Sequence, residues 1–519
     1  MHASSFSPLQ PKAILVLWAC LFISTPAHPG QSTASGAALQ QIPSAVAASL
    51  EKNQIPKEAI SISVIEIEQD RHGKMTAKPE LDWRSTQAMN PASTMKLLTT
   101  LAGLDLLGPK YRWRTALFTD GLIRQGILKG NIYLQGTGDP KLIPEEFAKM
   151  MKALQNLGIQ KIDGNLIFDR SAYAPSVMEH NTIDGESLRS YNVPPDPLLY
   201  AFRTLSFQLG KSRTADFIDI NFSPPLSQLK VINQMQLVDR ACENWKSNIR
   251  FNLETDSVAA NQDQLLTAQF SGSFPNGCKD VNYNVVALDA NTFLTQGFVA
   301  AWELSGGRWA QTPIGKSGTV PMSARSLLQF EGISLADDVH DINKYSNNVM
   351  ARQLLLTLAL EKIGKPATTQ NGQLVIQAWL KESGLDFPEL VIENGSGLSR
   401  NEAISAEHLT QLLVMARKLP TADLFYQSLP AAGVDGTMKN RLITQLRKFL
   451  HLKKKPEVRI KTGSLADVRA ISGYVMTKSG KMYAVTSFIN HPNAWRGLEA
   501  HDQLLAWLLE DGPEPKLAR

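Results

Sequence analysis

The chain has 519 residues, of which 43% are hydrophobic and 19% charged, and its formal net charge is +5. This length exceeds one ordinary domain, and the composition is that of a globular protein with a large apolar core. The charge is small for this length, and the longest basic run, at 453–455, precedes Pro456 like a solvated loop before a strand. A nucleic-acid-binding protein is therefore not indicated.

The first 27 residues have the pattern of an export signal. Lys12 supplies a positive flank, Ala13–Ile23 is apolar but short for a bilayer, and small residues up to Ala27 suit a cleavage site. We therefore expect residues 1–27 to be a signal peptide and the mature chain to be periplasmic. Cys20 leaves a lipoprotein as the alternative. No later stretch reaches about 18 apolar residues, so no membrane span is predicted in the mature chain.

The first motif combines a helix start with a serine and a lysine. Asn90 is a good N-cap, Pro91 suits the first helical position, and the apolar pattern that follows ends at Gly108. A spacing of three places Ser93 and Lys96 on one face of this helix. A neutral lysine can activate a serine nucleophile, and the first turn offers backbone N–H groups to an oxyanion. The same spacing also occurs at Ser49/Lys52 and Ser227/Lys230, so the pattern alone is not specific.

The middle of the chain is rich in short strands. Runs such as Asn131–Leu134 and Asn165–Phe168 are separated by frequent Gly, Pro, Asn and Asp turns. The flanking parts instead mix helices with strands. We therefore predict an α+β protein in which residues 41–112 and 322–512 form one discontinuous domain, with residues 113–321 as a β-rich insertion.

The flanking parts contain the clearest elements. The sequence predicts a strand before the first motif, helical pattern from Ser323 onward, and a strand followed by an antiparallel meander and a closing amphipathic helix. The predicted strands are Ile60–Ile67, Val458–Lys461, Ile471–Met476 and Met482–Phe488, and the clearest helices are Ser346–Lys362, Thr369–Ser383 and Ala494–Leu509.

The second motif is Ser346-Asn347-Asn348, at the opening of a predicted helix. A serine hydroxyl at this place can relay a proton between a lysine amine and a leaving group. The amide of Asn348 can hold a substrate carbonyl. The alternative is that Ser346 only caps the helix. A similar triplet, Ser190-Tyr191-Asn192, lies in a proline-rich turn.

The third motif is Lys461-Thr462-Gly463, at the end of a predicted strand. Gly463 would let the backbone approach a substrate closely, and the N–H of Ser464 could complete an oxyanion hole with that of Ser93. Lys316-Ser317-Gly318 is similar but precedes the second motif. Only Ser93, Ser346 and Lys461 therefore occur in order with matching helix, helix and strand contexts.

Two cysteines remain outside the signal segment, Cys242 and Cys278. In an exported protein they most simply form a disulfide, although two buried free thiols remain an alternative. Metal-binding patterns and glycine-rich nucleotide loops are missing from the sequence, so neither a metal nor a cofactor is predicted.

The three motifs resemble those of the serine-type D-alanyl-D-alanine carboxypeptidase/endopeptidases, the class-C low-molecular-mass penicillin-binding proteins. Accessory runs match as well, at Gly136–Pro140, Asn394–Arg400 and Ala432–Thr437. The resemblance covers nearly the whole mature chain. It implies a β-lactamase/transpeptidase-like domain, with an antiparallel sheet between helices, that carries the large insertion. It also implies peptidoglycan peptides as substrates and β-lactams as acylating inhibitors. Whether the protein forms a homodimer is left open.

The resemblance further implies a role for each motif residue. Ser93 attacks the carbonyl between two D-alanines, Lys96 accepts its proton, and Ser346 with Lys461 protonates the leaving amine. The remaining candidates bind substrate: Asn348 orients the acyl donor, and Lys461 and Thr462 hold the free carboxylate. Arg400 and Asp169 are candidates to bind the diaminopimelate arm, and the alternative for both is surface ion pairing or a role in turn structure. Ala466 departs from the polar residue of relatives, which affects side-chain preference and not the chemistry.

Two other functions remain open at this point. A class-C-type β-lactamase or esterase would use a tyrosine in place of Ser346, and Tyr345 precedes it by one residue. A sensor of muropeptides or β-lactams would acylate without turnover.

Overall fold

The computed structural model describes residues 38–512, except residues 71, 73, 180–182, 184, 186–188, 213–215, 257–264 and 287. The predicted signal peptide, residues 1–27, lies outside the described residues.

The helices in the described part of the chain occur in both flanking regions and in the middle. They are α1 (Ser44–Lys52), α2 (Lys96–Leu107), α3 (Pro144–Asn156), α4 (Ala290–Leu304), α5 (Leu335–Tyr345), α6 (Asn348–Lys362), α7 (Thr369–Glu382), α8 (Ala406–Ala416), α9 (Ala422–Ser428), α10 (Ile443–Arg447) and α11 (Leu498–Leu509).

The strands concentrate in the middle and at the two ends of the described chain. They are β1 (Ile60–Gln69), β2 (Met75–Trp83), β3 (Ala88–Met89), β4 (Arg112–Thr119), β5 (Leu122–Arg124), β6 (Ile127–Lys129), β7 (Ile132–Gly136), β8 (Lys161–Asp163), β9 (Leu166–Asp169), β10 (Leu205–Lys211), β11 (Ile218–Ser223), β12 (Leu229–Val238), β13 (Ile249–Asp256), β14 (Leu265–Pro275), β15 (Val281–Val285), β16 (Arg308–Trp309), β17 (Gly315–Ser317), β18 (Arg325–Ser334), β19 (Ile404–Ser405), β20 (Glu457–Leu465), β21 (Val468–Met476) and β22 (Met482–Asn490).

The principal sheet joins the two ends of the described chain. Its order is β2-β1-β22-β21-β20, and every neighbouring pair is antiparallel. In β1 the first eight residues are buried, because both faces of the sheet are covered. The predicted meander of β20, β21 and β22 is therefore present, extended on one side by the early strands β1 and β2.

Helices cover both faces of this sheet, in agreement with the predicted α+β fold. On one face α1 and α11 pack through Val46, Leu50, Leu504 and Leu508 against strand residues such as Val485. On the other face α2, α6 and α8 form a second core with side chains from β1, β21 and β22. The sheet is therefore the middle layer of an α/β/α arrangement.

The middle of the chain forms several smaller sheets around another core. Their orders are β17-β9-β7-β4-β18, β16-β8-β6-β5, β11-β10-β15 and β12-β14-β13. Large apolar side chains fill the space between them, including Phe147, Phe207, Phe270 and Trp302. The sulfur atoms of Cys242 and Cys278 lie 2.03 Å apart, at the distance of a disulfide bond.

One predicted element is wrong. Helical pattern was expected from Ser323 onward, but residues Arg325–Ser334 form the edge strand β18, which pairs antiparallel with β4. The helix begins only at Leu335, where the Ser334 side chain accepts a hydrogen bond from the N–H of Asp337. The apolar side chains of this stretch are only partly buried, so their spacing did not reveal a strand that is covered incompletely.

Candidate active site

Ser93 lies in a 3-10 turn, Ala92–Met95, directly before α2. The predicted N-cap is wrong in detail, because the side chain of Asn90 accepts a hydrogen bond from the N–H of Ala92 at 2.9 Å and the α-helix begins only at Lys96. Ala92 and Lys96 are buried, whereas Ser93 is partly exposed. The turn thus presents the serine side chain at the surface of a cleft.

The backbone of this turn is strained and is held from two sides. Ala92 has φ of 43°, in the left-handed region that non-glycine residues rarely occupy. A Cβ on Gly397 would lie 1.9 Å from the Ala92 carbonyl oxygen, and a Cβ on Gly463 would lie 2.8 Å from the Pro91 carbonyl oxygen. The surrounding backbone therefore fixes the turn. Gly463 makes its close approach to this turn, and not to the cleft, where the substrate was expected.

Lys96 is completely buried beneath Ser93. Its Nζ lies 2.9 Å from Ser93 Oγ and 2.6 Å from Asn348 Oδ1, and it also donates to the carbonyl oxygen of Ser396. Burial lowers the pKa of Lys96 well below its usual value, and the nearby charge of Lys461 lowers it further. A neutral amine aimed at a serine hydroxyl can act as its base.

The loop that supplies the Ser396 carbonyl is organised by Glu402, a residue that sequence reasoning missed. One oxygen of the buried Glu402 carboxylate accepts the backbone N–H groups of Glu393 at 3.1 Å, Asn394 at 3.0 Å and Gly395 at 3.1 Å. Burial raises the pKa of Glu402, while these hydrogen bonds and the charge of Lys96 oppose the rise. A single acidic residue in a sequence carries no signal for such a role.

Ser346 connects α5 to α6 in a left-handed conformation, with φ of 59°. It does not cap the following helix, because the side chain of Asn347 accepts the N–H groups of Val349 and Met350. The Ser346 hydroxyl instead accepts a hydrogen bond from Lys461 Nζ at 2.8 Å. The alternative in which Ser346 is only a cap is therefore wrong.

Lys461, the first residue of the third motif, is completely buried on β20. Its Nζ also donates to the Thr462 carbonyl oxygen at 2.8 Å. Burial lowers the pKa of Lys461 to about 7. The Thr462 hydroxyl donates to Thr437 Oγ1 at 2.9 Å, which connects β20 to the Ala432–Thr437 run.

That run is fixed by an ion pair that the sequence did not reveal. Lys344, two residues before Ser346, is buried and lies 2.7 Å from the Asp435 carboxylate, and it donates to the Leu429 carbonyl oxygen at 2.7 Å. The pair ties the end of α5 to the loop that carries Thr437.

The three motifs meet at a cleft of about 460 Å³. The buried amines of Lys96 and Lys461 lie beneath it and hold Ser93 and Ser346. Lining residues are Ser93, Ile183, Tyr191, Ser346, Asn348, Leu398, Arg400, Thr437, Thr462, Ser464, Leu465 and Ala466. The middle of the chain thus contributes Ile183 and Tyr191, which sequence reasoning did not identify as site residues.

The two residues predicted to read a substrate side chain are placed differently. Arg400 lines the cleft and forms an exposed ion pair with Asp467. Asp169 is buried at the end of β9, where it accepts hydrogen bonds from Gln135 Nε2 at 2.8 Å and from the N–H of Val320 at 3.0 Å. Asp169 is not among the lining residues, so its role stays a prediction.

Tyr345 is not among the residues that line the cleft. Its side chain is 68% exposed, and its ring packs edge-on against His340. The neighbouring Ser346, by contrast, holds Lys461. This geometry does not favour an enzyme that uses the tyrosine.

Among the described residues, no group of three metal-binding side chains is close enough to hold an ion. Within 38–512, apart from the gaps given above, no helix has the length and apolar character needed to cross a bilayer.

Comparisons with known proteins point in one direction. The model of the D-Ala-D-Ala carboxypeptidase 3 (S13) family matches residues 43–510. The D-alanyl-D-alanine carboxypeptidase DacB of Haemophilus influenzae is 26% identical over 418 residues, 79% of this chain and 82% of that protein. The D-alanyl-D-alanine carboxypeptidase of an Actinomadura species is 25% identical over 475 residues, 88% and 82% of the two chains.

A solved structure shares the fold. The crystal structure of penicillin binding protein 4 from Haemophilus influenzae superimposes with a TM-score of 0.65 at 22% identity, covering 89% of this chain and 99% of that one.

Proposed function

The chain belongs to the D-Ala-D-Ala carboxypeptidase 3 (S13) family, and we propose that it hydrolyses the D-alanyl-D-alanine bond of peptidoglycan peptides through an acyl-enzyme on Ser93. The enzyme is a serine-type carboxypeptidase. The observation that carries the assignment of Ser93 is its hydrogen bond of 2.9 Å with the completely buried Lys96.

In the first half of the proposed reaction, Ser93 Oγ attacks the carbonyl carbon of the penultimate D-alanine. Neutral Lys96 takes the hydroxyl proton, and the N–H groups of Ser93 and Ser464 stabilise the oxyanion. The carbon–nitrogen bond then breaks, and the leaving D-alanine amine receives a proton from Lys461 through the Ser346 hydroxyl. The shortness of the Lys461–Ser346 contact, 2.8 Å, supports this relay.

In the second half, water attacks the ester carbonyl. Before this step Lys96 gives up the proton that it took from Ser93, and Lys461 regains the proton that it passed to the leaving amine. Neutral Lys96 then accepts a proton from the water and donates it to Ser93 Oγ as the bond between the acyl carbon and Ser93 Oγ breaks. The products are the shortened peptide and free D-alanine, and the enzyme returns to its initial state.

Substrate contacts follow from the cleft. Thr462, with Lys461 behind it, suits the terminal carboxylate, and Asn348 suits the amide of the acyl donor. Gly463 supports the catalytic turn. Arg400, which lines the cleft, would bind an acidic group on the peptide side chain. We also propose that β-lactams acylate Ser93 and that D-alanyl-diaminopimelate cross-links are cleaved at the same site.

We further propose the domain organisation and location expected from the sequence. Residues 41–112 and 322–512 form one catalytic domain, supported by the pairing of β1 with β22, and residues 113–321 are an insertion. The apolar run and small residues before position 28 support export to the periplasm.

The test uses two serines that share the same spacing to a lysine. Ser93→Ala should abolish covalent labelling by a fluorescent penicillin and release of D-alanine from a pentapeptide. Ser49 and Lys52 on α1 have the same spacing, and Ser49→Ala should retain both activities.

Equal unfolding temperatures would show that both variants are folded. Retained labelling in Ser93→Ala would remove Ser93 from its role. Labelling of the wild type without catalytic release of D-alanine would favour the sensor instead.

A further inference from the structure

A basic segment, defined as residues 439–455, contains seven lysines and arginines and no aspartate or glutamate. This one segment carries more positive charge than the whole chain's net charge of +5. Positive charge is therefore concentrated here and not spread evenly over the protein.

The basic segment is folded onto the protein and exposes its charges. Leu442 and Phe449 are buried, and Leu446 and Leu452 pack against the same core, which includes Leu504 and Leu508 of α11. Many of its exposed residues are cations. In the described part of the chain, six exposed basic residues of the segment have no carboxylate within ion-pairing distance: Lys439, Arg447, Lys448, Lys453, Lys454 and Lys455.

Exposed apolar side chains lie among these charges. Leu450 is 61% exposed, and Ile443 is 37% exposed. The loop of Gly433 packs next to Ile443 and Leu446, and its neighbour Val434 is 67% exposed. A surface that combines free cations with exposed aliphatic side chains fits an anionic lipid bilayer better than a soluble polyanion, because only the bilayer takes up apolar side chains.

We propose that the basic segment docks the enzyme on the surface of a membrane that contains anionic lipids. Its two ends adjoin the cleft: Thr437, which lines the cleft, precedes it, and β20 with Thr462 follows it. Docking would therefore hold the cleft mouth near the lipid surface. This binding is independent of the acyl-enzyme chemistry.

The test is co-sedimentation of the full chain with vesicles. Wild type should bind vesicles of phosphatidylcholine mixed with phosphatidylglycerol and not vesicles of phosphatidylcholine alone, and added salt should weaken the binding. The triple variant Lys453→Glu, Lys454→Glu, Lys455→Glu should lose affinity by about tenfold or more. Leu450→Ser should weaken binding to vesicles but not to soluble polyphosphate.

The matched control reverses three other exposed lysines, Lys362→Glu, Lys365→Glu and Lys381→Glu. This control has the same net charge as the triple variant of residues 453–455, and it should bind anionic vesicles with the affinity of the wild type. Unfolding temperature and penicillin labelling verify the fold of each variant. The proposal would be overturned if the wild type did not bind anionic vesicles, or if both triple variants lost the same vesicle affinity. It would also be overturned if Leu450→Ser weakened binding to polyphosphate as much as binding to vesicles.

Discussion

Lys96 and Lys461 are both completely buried, and each holds the hydroxyl of one serine, Ser93 at 2.9 Å and Ser346 at 2.8 Å. Burial lowers the pKa of both lysines, and the charge on Lys461 lowers the pKa of Lys96 further. Two like charges in one desolvated site are unfavourable, so protonation of one amine disfavours protonation of the other. This relationship suits a reaction that needs one base and one acid.

The rate of acylation should fall as pH rises through about 7. Burial places the pKa of Lys461 at about 7, and above that pH the residue loses the proton that it passes toward the leaving group. The rate of labelling by a fluorescent penicillin, measured across pH, tests this expectation.

Lys461→Arg serves as the comparison, because arginine stays protonated throughout this range. Acylation of the variant should be slower than that of the wild type, but its rate should not fall as pH rises through about 7. If the acylation rate of both proteins fell at the same pH, the fall would belong to a group other than Lys461.

Ser346→Ala should reduce acylation by about 10²–10⁴-fold, the range expected when a positioned proton-transfer group is removed. Tyr345→Phe is the matched control at the adjacent position and should retain wild-type rates, since Tyr345 is largely exposed. Rates of D-alanine release and penicillin labelling provide the measurement. Loss of activity only in Tyr345→Phe would support the β-lactamase or esterase alternative.

Glu402→Gln should move the acidic limb of the acylation profile to lower pH. Glutamine still offers an oxygen to the three backbone N–H groups, but it lacks the negative charge that raises the pKa of Lys96. Without that charge Lys96 should lose its proton at lower pH. The alkaline limb should not move.

Two further variants separate the effect of the Glu402 charge from the effect of its hydrogen bonds to the loop. Glu382→Gln removes an exposed charge on α7 and should leave the profile unchanged. Glu402→Ala leaves three backbone donors without their acceptor, and should lower the free energy of unfolding by about 3 kcal/mol or more. A profile for Glu402→Gln identical to that of wild type would show that Glu402 acts on the loop alone.

Reduction of the Cys242–Cys278 pair should lower the thermal stability without abolishing labelling of Ser93. The bridge closes a sequence separation of 36 residues, for which chain entropy gives about 3–4 kcal/mol. Both cysteines lie between strands of the middle sheets, and neither lines the cleft. Calorimetry of Cys242→Ser/Cys278→Ser, with penicillin labelling in parallel, gives both readouts, and loss of labelling in the folded variant would contradict this separation.

Local patterns predicted much of the fold. The strands β1, β20, β21 and β22 and the helices α6 and α7 occur close to their expected positions, because periodicity and capping act over a few residues. The edge strand β18 was missed, because its apolar side chains are only partly buried and their spacing does not reveal a strand. The start of α2 also differs from the prediction: the Asn90 side chain accepts the N–H of Ala92, Ala92 packs closely against Gly397, and a 3-10 turn precedes the helix.

By itself, the sequence determined which groups can do the chemistry and in what order they occur, because hydroxyls, amines and their helix or strand contexts are local properties. Only the tertiary structure decided that Lys96 and Lys461 are desolvated, that Glu402 anchors the loop beside Lys96, and that Lys344 pairs with Asp435. These properties depend on burial and on contacts between residues far apart along the chain, and both arise only when the separate elements pack together.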